Sequence, residues 1–380
     1  MNICIVNLGF KMGGVERVTI ELANALQERG HKLSLIDFSG ENIFYYKTNE
    51  YIEKPKAVKR RSVSRKVIGR LLKLINRIGN KSDNVFTMFK EQTNDLIDHL
   101  KEKNYDVLIV NSGILTSLIP QIKNEIPDLK IIAWQHNEFD IYVNHYNKNH
   151  ITDYIGGVKQ ADLLVCLTKA DQLRFSKLNK KCSFIYNTLT IENNNEISKL
   201  TNNQIIFVGR LNLNQKGLDY LIPLGKSLKN DWTILIAGDG PDKSKLLELI
   251  KKNELEDKII LKGPLTGEKL FDFYLSGSIF ISTSRWEGFG LVLTEAMAFG
   301  LPVVSFDNSG PKEILENGES GILIEKNNIM EFSLRLNELI EEPLKREYYQ
   351  QKSLERVMDF NKEVIVDKWE SKIKNVVSNK

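Results

Sequence analysis

The feature that most constrains this chain is a repeated one. A short apolar run is followed by a turn, often with glycine, and then by a stretch whose apolar residues return every three or four positions. Residues 3–7 open the pattern. Gly9-Phe10-Lys11-Met12-Gly13-Gly14 makes the turn, and Val15, Val18, Ile20, Leu22, Ala25 and Leu26 give a helical stripe that stops at Gly30. Runs at 33–36, 106–110, 130–134 and 162–166 continue it. These runs are nearly continuous in apolar character, as expected of strands buried on both faces. The pattern predicts parallel sheets covered by helices on each side, an α/β fold whose ligands bind beyond the carboxyl ends of the strands.

The rhythm first breaks near the middle of the chain. Between Thr188 and Asn203 the chain turns polar, with Glu192-Asn193-Asn194-Asn195-Glu196 at its centre. It resumes at 204–208, 232–237, 257–261, 279–281 and 302–306. The polar stretch reads as a linker between domains at 1–190 and 200–358. A second break at Asp359-Phe360-Asn361 sets off a terminal helix, 359–380, holding Val364, Trp369 and Ile373. A chain of 380 residues is long enough for two such domains, each with its own core.

Composition narrows the setting. A net charge of +4 gives no argument for nucleic acid. Cys4, Cys166 and Cys182 are odd in number and far apart, which suggests free thiols in a reducing compartment and no metal spacing. The first residues carry no basic leader, and no stretch reaches the roughly 20 apolar residues of a membrane span. A cytoplasmic location is expected.

One segment departs from the rest. Residues 53–81 hold Lys54, Lys56, Lys59, Arg60, Arg61, Arg65, Lys66, Arg70, Lys73, Arg77 and Lys81 against a single acid, Glu53. Val63, Val67, Leu71, Leu74, Ile75 and Ile78 recur within it at helical spacing. A basic amphipathic helix fits an anionic membrane surface or an anionic acceptor. It equally fits an apolar stripe packed on the sheet with solvated lysines.

The richest stretch is Ser284-Arg285-Trp286-Glu287-Gly288-Phe289-Gly290-Leu291-Val292-Leu293-Thr294-Glu295. A strand, a glycine turn and a helix N-terminus make an anion cradle of outward N–H groups. Glu287 and Glu295, eight positions apart, are out of place beside an anion. They suit hydrogen bonds from ligand hydroxyls instead. A nucleotide sugar offers both a diphosphate and hydroxyl-bearing rings. The plain alternative is a surface turn with two solvated glutamates.

This stretch resembles the E-x7-E signature of the retaining glycosyltransferases of family 4, which have the GT-B fold. Gly209-Arg210 with Lys216-Gly217 resembles that family's diphosphate clasp, Gly238-Asp239-Gly240-Pro241 another of its turns, and Gly13-Gly14 its glycine pair at the donor phosphates. His136, in Gln135-His136-Asn137 after the run at 130–134, resembles by position the family histidine near acceptor and donor sugar. The likeness covers nearly all of the C-terminal half and is weaker before it. It implies two Rossmann-like doubly wound domains facing each other across a cleft, with the terminal helix crossing back to the N-terminal, acceptor-binding domain.

The resemblance assigns roles residue by residue. Arg210 and Lys216 bind the diphosphate, helped by backbone N–H groups at Gly14, Gly288, Phe289, Gly290, Leu291 and Val292. Glu287 takes the donor sugar and Glu295 the ribose. His136 orients sugar or acceptor, and the loop at Leu265 borders the nucleobase. Gly13 completes the donor contacts. The chain contains no D-x-D triplet, so neither metal nor cofactor is expected. The expected activity is retaining transfer from a nucleotide donor, a UDP-sugar first, to a glycan, lipid-linked or cell-wall acceptor, in the cytoplasm or on the inner face of the membrane. Two rivals stand beside it: a UDP-sugar 2-epimerase of the same layout and a non-catalytic sugar-binding subunit.

Overall fold

The computed structural model describes residues 1–60, 84–191, 194–229 and 231–378. The chain divides into two compact units, one of residues 1–188 with 362–380 and one of residues 189–361.

The first unit is built on six parallel strands: β1 (Asn2–Asn7), β2 (Lys32–Asp37), β3 (Val107–Asn111), β4 (Lys130–Trp134), β5 (Leu163–Cys166) and β6 (Cys182–Phe184). Their order is β2-β1-β3-β4-β5-β6, so strand order reverses between β1 and β3. Cys4, Val6, Leu108, Val110, Ile131, Ala133 and Leu164 face one apolar core cluster. On the opposite face Thr19, from the helix Gly14–Glu28, bonds Asn111, and Trp369 packs on Trp134. Both faces are covered, which is why the strands carry no alternation.

The second unit has β7 (Gln204–Val208), β8 (Thr233–Ala237), β9 (Ile259–Gly263), β10 (Ile279–Ser282), β11 (Val303–Phe306) and β12 (Ile322–Ile324), again all parallel. The order β9-β8-β7-β10-β11-β12 is the Rossmann order, with its reversal between β7 and β10. The two sheets are thus doubly wound and Rossmann-like, though only the second has the dinucleotide-fold order. The edge strands β6 and β12 are absent from the sequence pattern. At three residues each they are too short to show a period.

The polar stretch at 188–203 is not a free connector. The division falls after Thr188, and the described residues that follow are built into the second unit. Leu189 N donates to Phe360 O at 2.8 Å, Ser198 N to Phe299 O at 2.9 Å, and Ser198 and Leu200 are buried. The described residues at its centre, Asn194, Asn195 and Glu196, are exposed. The C-terminal helix Lys362–Ser378 joins the first unit. Arg29 reaches Asp367 (2.5 Å) and Glu370 (3.1 Å), His31 reaches Glu370 (3.1 Å), and Trp369 is buried.

Of the basic segment 53–81, residues 61–81 lie outside the described residues, and with them the apolar stripe. The described start is not helical. Glu53 pairs with Ser34 as a bridge, Leu35 N donates to Glu53 O at 2.8 Å, and Lys59 N donates to Asp95 at 2.9 Å. Among the described residues no helix is long and apolar enough to cross a membrane. The three cysteines carry no disulfide, and the Sγ atoms of Cys166 and Cys182, on β5 and β6, are 3.7 Å apart.

Candidate active site

In the second unit two loops leave the strands on either side of the reversal. After β7 the chain runs through Gly209-Arg210-Leu211-Asn212 into the short helix Leu213–Lys216. After β10 it runs from Thr283 to Gly290 into the helix Leu291–Ala298. Asn212 caps the short helix by accepting from Gln215 N at 2.8 Å. Gly217 ends it at φ +58°, and a Cβ there would sit 2.1 Å from Thr283 O. Only glycine lets the two loops touch. Thr283 Oγ1 donates to Lys216 O (2.9 Å) and Arg285 N to Gln215 O (2.8 Å) across the same seam.

That seam delivers Lys216 to Glu287. The ammonium and Glu287 Oε2 form an ion pair, with the side chains only 13% and 15% exposed, and Ser284 Oγ donates to the same oxygen at 3.1 Å. Arg210, on the β7 loop, is exposed. Gly288 and Phe289 are buried, Phe289 edge-on to Phe360 at 5.7 Å. Gly290, at φ +105°, is the N-cap of the next helix and offers no side chain to it. Half-buried Leu291 and Val292 therefore open the helix without a side-chain cap, at the positive end of its dipole. Leu265 is half-buried in the loop after β9.

Glu295 differs from its expected placement. It is 2% exposed, and its two oxygens accept from Thr190 Oγ1 (2.6 Å) and Tyr274 OH (2.7 Å). It points into the unit and is held there by hydroxyls of the chain itself. The physical reason is burial on every side: Leu293 to Ala298, more than a full turn, are all buried, and a carboxylate there must find donors.

Gly13, Gly14 and His136 belong to the first unit. Gly13 is extended and Gly14 opens its helix. The Glu16 carboxylate lies over Gly13, within 2.1 Å of where a Cβ would be, and burial raises its pKa. His136 lies just past β4, its backbone N–H donating to Tyr142 OH at 3.0 Å and its ring against Trp134 with centroids 4.3 Å apart. Burial pushes its pKa down to about 3, so the imidazole is neutral in the native state.

Sequence reasoning missed Arg285, Tyr274, Thr190 and Ser284. Arg285 binds Asp219 at 2.6 Å, donates to Leu213 O at 3.0 Å and stacks on Tyr220 at 4.3 Å. It fastens the short helix that carries Lys216, and the Asp219 carboxylate raises its pKa. Its adjacency to Glu287 was the one available signal. Tyr274 and Thr190 are too far along the chain from Glu295 to give any. Among the described residues no group of three His, Cys, Asp or Glu side chains is placed to hold a metal.

Comparison with known proteins agrees with this geometry. Residues 190–356 match the family described as Glycosyl transferases group 1, and residues 12–192 match that described as Glycosyltransferase Family 4. The chain is 31% identical over 373 residues to an uncharacterized glycosyltransferase of Haemophilus influenzae, covering 96% of this chain and 97% of that one. It is 26% identical over 375 residues to the amylovoran biosynthesis glycosyltransferase AmsD of Erwinia amylovora, covering 94% and 95%. Among solved structures, Anabaena HepE in complex with UDP superposes with a TM-score of 0.76 at 17% identity, covering 99% of this chain and all of that one. The chain belongs to the glycosyltransferases, with the two Rossmann-like domains of the GT-B fold.

Proposed function

We propose that this glycosyltransferase moves a sugar from a UDP-linked donor to a hydroxyl of a polysaccharide or lipid-linked acceptor, retaining the anomeric configuration and using no metal. One observation carries the reading: the Lys216–Glu287 pair, beside Arg210 and an uncapped helix start, at the strand reversal of the Rossmann-ordered sheet. Sheets of this kind take their ligands at that point. The amylovoran and UDP-bound relatives support the acceptor class and the nucleotide.

When the donor enters, its diphosphate meets Arg210 and the N–H groups at Leu291 and Val292. Lys216 leaves its carboxylate partner to join them, which frees Glu287 for the sugar hydroxyls. Charge grows on the departing β-phosphate as the glycosidic bond breaks, and fixed cations stabilise that state more than the ground state. The acceptor oxygen forms the new bond to the anomeric carbon on the same face. Its proton passes to the phosphate oxygen that leaves. His136 orients the sugar or acceptor as a neutral ring. Glu295 reaches the ribose by exchanging its bond from Thr190.

A thermal-shift screen over UDP-, GDP- and ADP-sugars tests the donor. The expected result is stabilisation by a UDP-sugar that Arg210→Glu abolishes; an unchanged shift in that variant places the diphosphate elsewhere. Incubation with donor alone separates transfer from epimerisation, since a 2-epimer product would replace this reading. For the basic segment 53–81, flotation with vesicles should show preference for anionic over neutral lipid; equal recovery leaves it to an anionic acceptor.

A further inference from the structure

Glu287 sits in the loop after β10, and a second loop braces that one. β10 and β11 run side by side, with Phe280, Ile281 and Ser282 in register with Val303, Val304 and Ser305. The stretches just past their carboxyl ends, Thr283-Ser284 and Phe306-Asp307-Asn308, are neighbours in consequence. Asn308 Nδ2 donates to Ser284 O at 2.7 Å, and both residues are 1% exposed. Ser284 Oγ in turn donates to Glu287 Oε2 at 3.1 Å, the oxygen that also pairs with Lys216. The two loops meet again at Gly310, where a Cβ would lie 2.2 Å from Phe289 O.

Asn308 makes this bond and leaves two others unmade. It is the N-cap of the helix Ser309–Ile314, a position where asparagine usually accepts a backbone N–H, yet its side chain makes no capping bond. Its Oδ1 is buried with no hydrogen-bond partner among the described residues. A buried amide oxygen left in that state costs about 1–3 kcal/mol. A leucine of similar volume would carry no such cost, so stability alone does not explain an asparagine here. The bond to Ser284 does.

We infer that Ser284 and Asn308 are positioning residues for Glu287, keeping its carboxylate ionised and in place while Lys216 is on the diphosphate. The inference rests on the transferase reading above and deepens it, by naming what supports Glu287 at the step that takes its cation away. The reason lies in charge. An incoming diphosphate draws the ammonium and exerts no such pull on a hydroxyl or an amide, so the neutral partners stay. Glu287 is only 15% exposed, and a carboxylate that deeply set takes up a proton more readily once parted from a cation. A protonated carboxyl keeps fewer sites for accepting from sugar hydroxyls. A hydrogen bond to the ionised form opposes the protonation. Ser284 supplies that bond, and Asn308 fixes the backbone from which Ser284 supplies it.

Charged neighbours on the same elements have partners of their own. Arg285 is bound to Asp219 (2.6 Å) and Asp307 to Lys312 (3.0 Å), while Glu295 accepts from Thr190 and Tyr274. Arg210, on the β7 loop, is exposed. The short-range support of Glu287 therefore divides into one partner that a diphosphate attracts and one that it does not.

Carbon-13 NMR of the full chain labelled at glutamate Cδ tests this, with the Glu287 signal identified by its loss in Glu287→Gln. Lys216→Met stands in for the step at which the cation has gone, with no ligand needed. In that background Ser284→Ala should raise the Glu287 midpoint by about one pH unit, and Ser284→Thr should restore it. With Lys216 present, Ser284→Ala should move it by less than about a third of that. Asn308→Leu should also raise the midpoint in the Lys216→Met chain, while its Tm holds or rises. A merely structural asparagine gives the reverse, a lower Tm and an unmoved glutamate. A second measurement keeps Lys216 and serves if Lys216→Met does not fold. The thermal shift given by UDP should be the same in Ser284→Ala as in the parent. The further shift given by the sugar of UDP-glucose, UDP-galactose or their N-acetyl counterparts should be at least halved. A midpoint unmoved by Ser284→Ala in a folded Lys216→Met chain, or moved equally with Lys216 present, overturns the inference, and so does an undiminished sugar increment. Absence of any UDP shift in the parent tells against the donor reading alone, since the titration uses no nucleotide.

Discussion

At the scale of single residues, the second unit turns on a carboxylate and an ammonium that satisfy each other. Lys216 and Glu287 are each mostly buried, so removing one leaves an uncompensated charge out of water. Glu287→Leu is expected to lower stability by about 2–3 kcal/mol in urea unfolding, discounted from a fully buried pair for the remaining exposure. Lys216→Met with Glu287→Leu together should cost less than the sum. Strict additivity of the two would show that the pair has no coupling in solution. His136 gives a second residue-scale expectation. Its native pKa of about 3 lies below the unfolded value near 6.5, so in that interval the unfolded chain binds the extra proton. Its contribution is full above about pH 6.5 and declines as the pH falls toward 3, by about 1.4 kcal/mol per unit. Comparing His136→Phe with the parent at pH 7 and pH 5 should show a flatter dependence in the variant; parallel slopes would mean the ring titrates normally.

Among elements, the β10 loop and the helix after it are governed by glycine and by burial on all sides of the helix. Gly290 at φ +105° starts that helix, and a Cβ would approach Leu293 to 3.1 Å. Gly290→Ala should cost about 1–2 kcal/mol and weaken UDP binding with it, measured by thermal melts with and without nucleotide. Stability unchanged would mean the turn relaxes freely. Glu295 illustrates what periodicity leaves open. Spacing put it on the same helix face as Leu291, but whether that face meets ligand or interior depends on Tyr274 and Thr190, which no local pattern links to it. If Thr190 competes with the ribose for Glu295, Thr190→Val should tighten UDP about fivefold by titration calorimetry, the worth of about one hydrogen bond. Weaker binding would make Thr190 a support of the site instead.

For the molecule as a whole, two units with different strand orders share one device. The strand order of each sheet reverses once, and in the second sheet the Lys216–Glu287 pair lies on the loops that leave the strands at that reversal. The C-terminal helix belongs to the first unit, and Arg29, His31 and Trp134 hold it there. Trp369→Ala should therefore lower Tm and also raise the pKa of His136 as read by ring NMR, since the packing that desolvates the ring is loosened. A lower Tm with an unmoved histidine would confine Trp369 to holding the helix.

The sequence by itself determined the architecture. Continuous apolar runs split by turns admit few folds besides parallel sheets wrapped in helices, because such runs cannot face water. It also placed Arg210, Lys216 and Glu287 at the ends of strands, since those residues sit directly after the runs that define them. Two short edge strands escaped it for want of length. The polar stretch after Thr188 begins where the two units divide, but composition did not show that Leu189, Ser198 and Leu200 are held in the second unit, because their partners lie far along the chain. Only the tertiary structure decided which charges neutralise each other, that Glu295 turns inward, and that Asn308 reaches the loop of Glu287. Those facts depend on register and packing between segments remote in the chain, and local spacing carries no record of them.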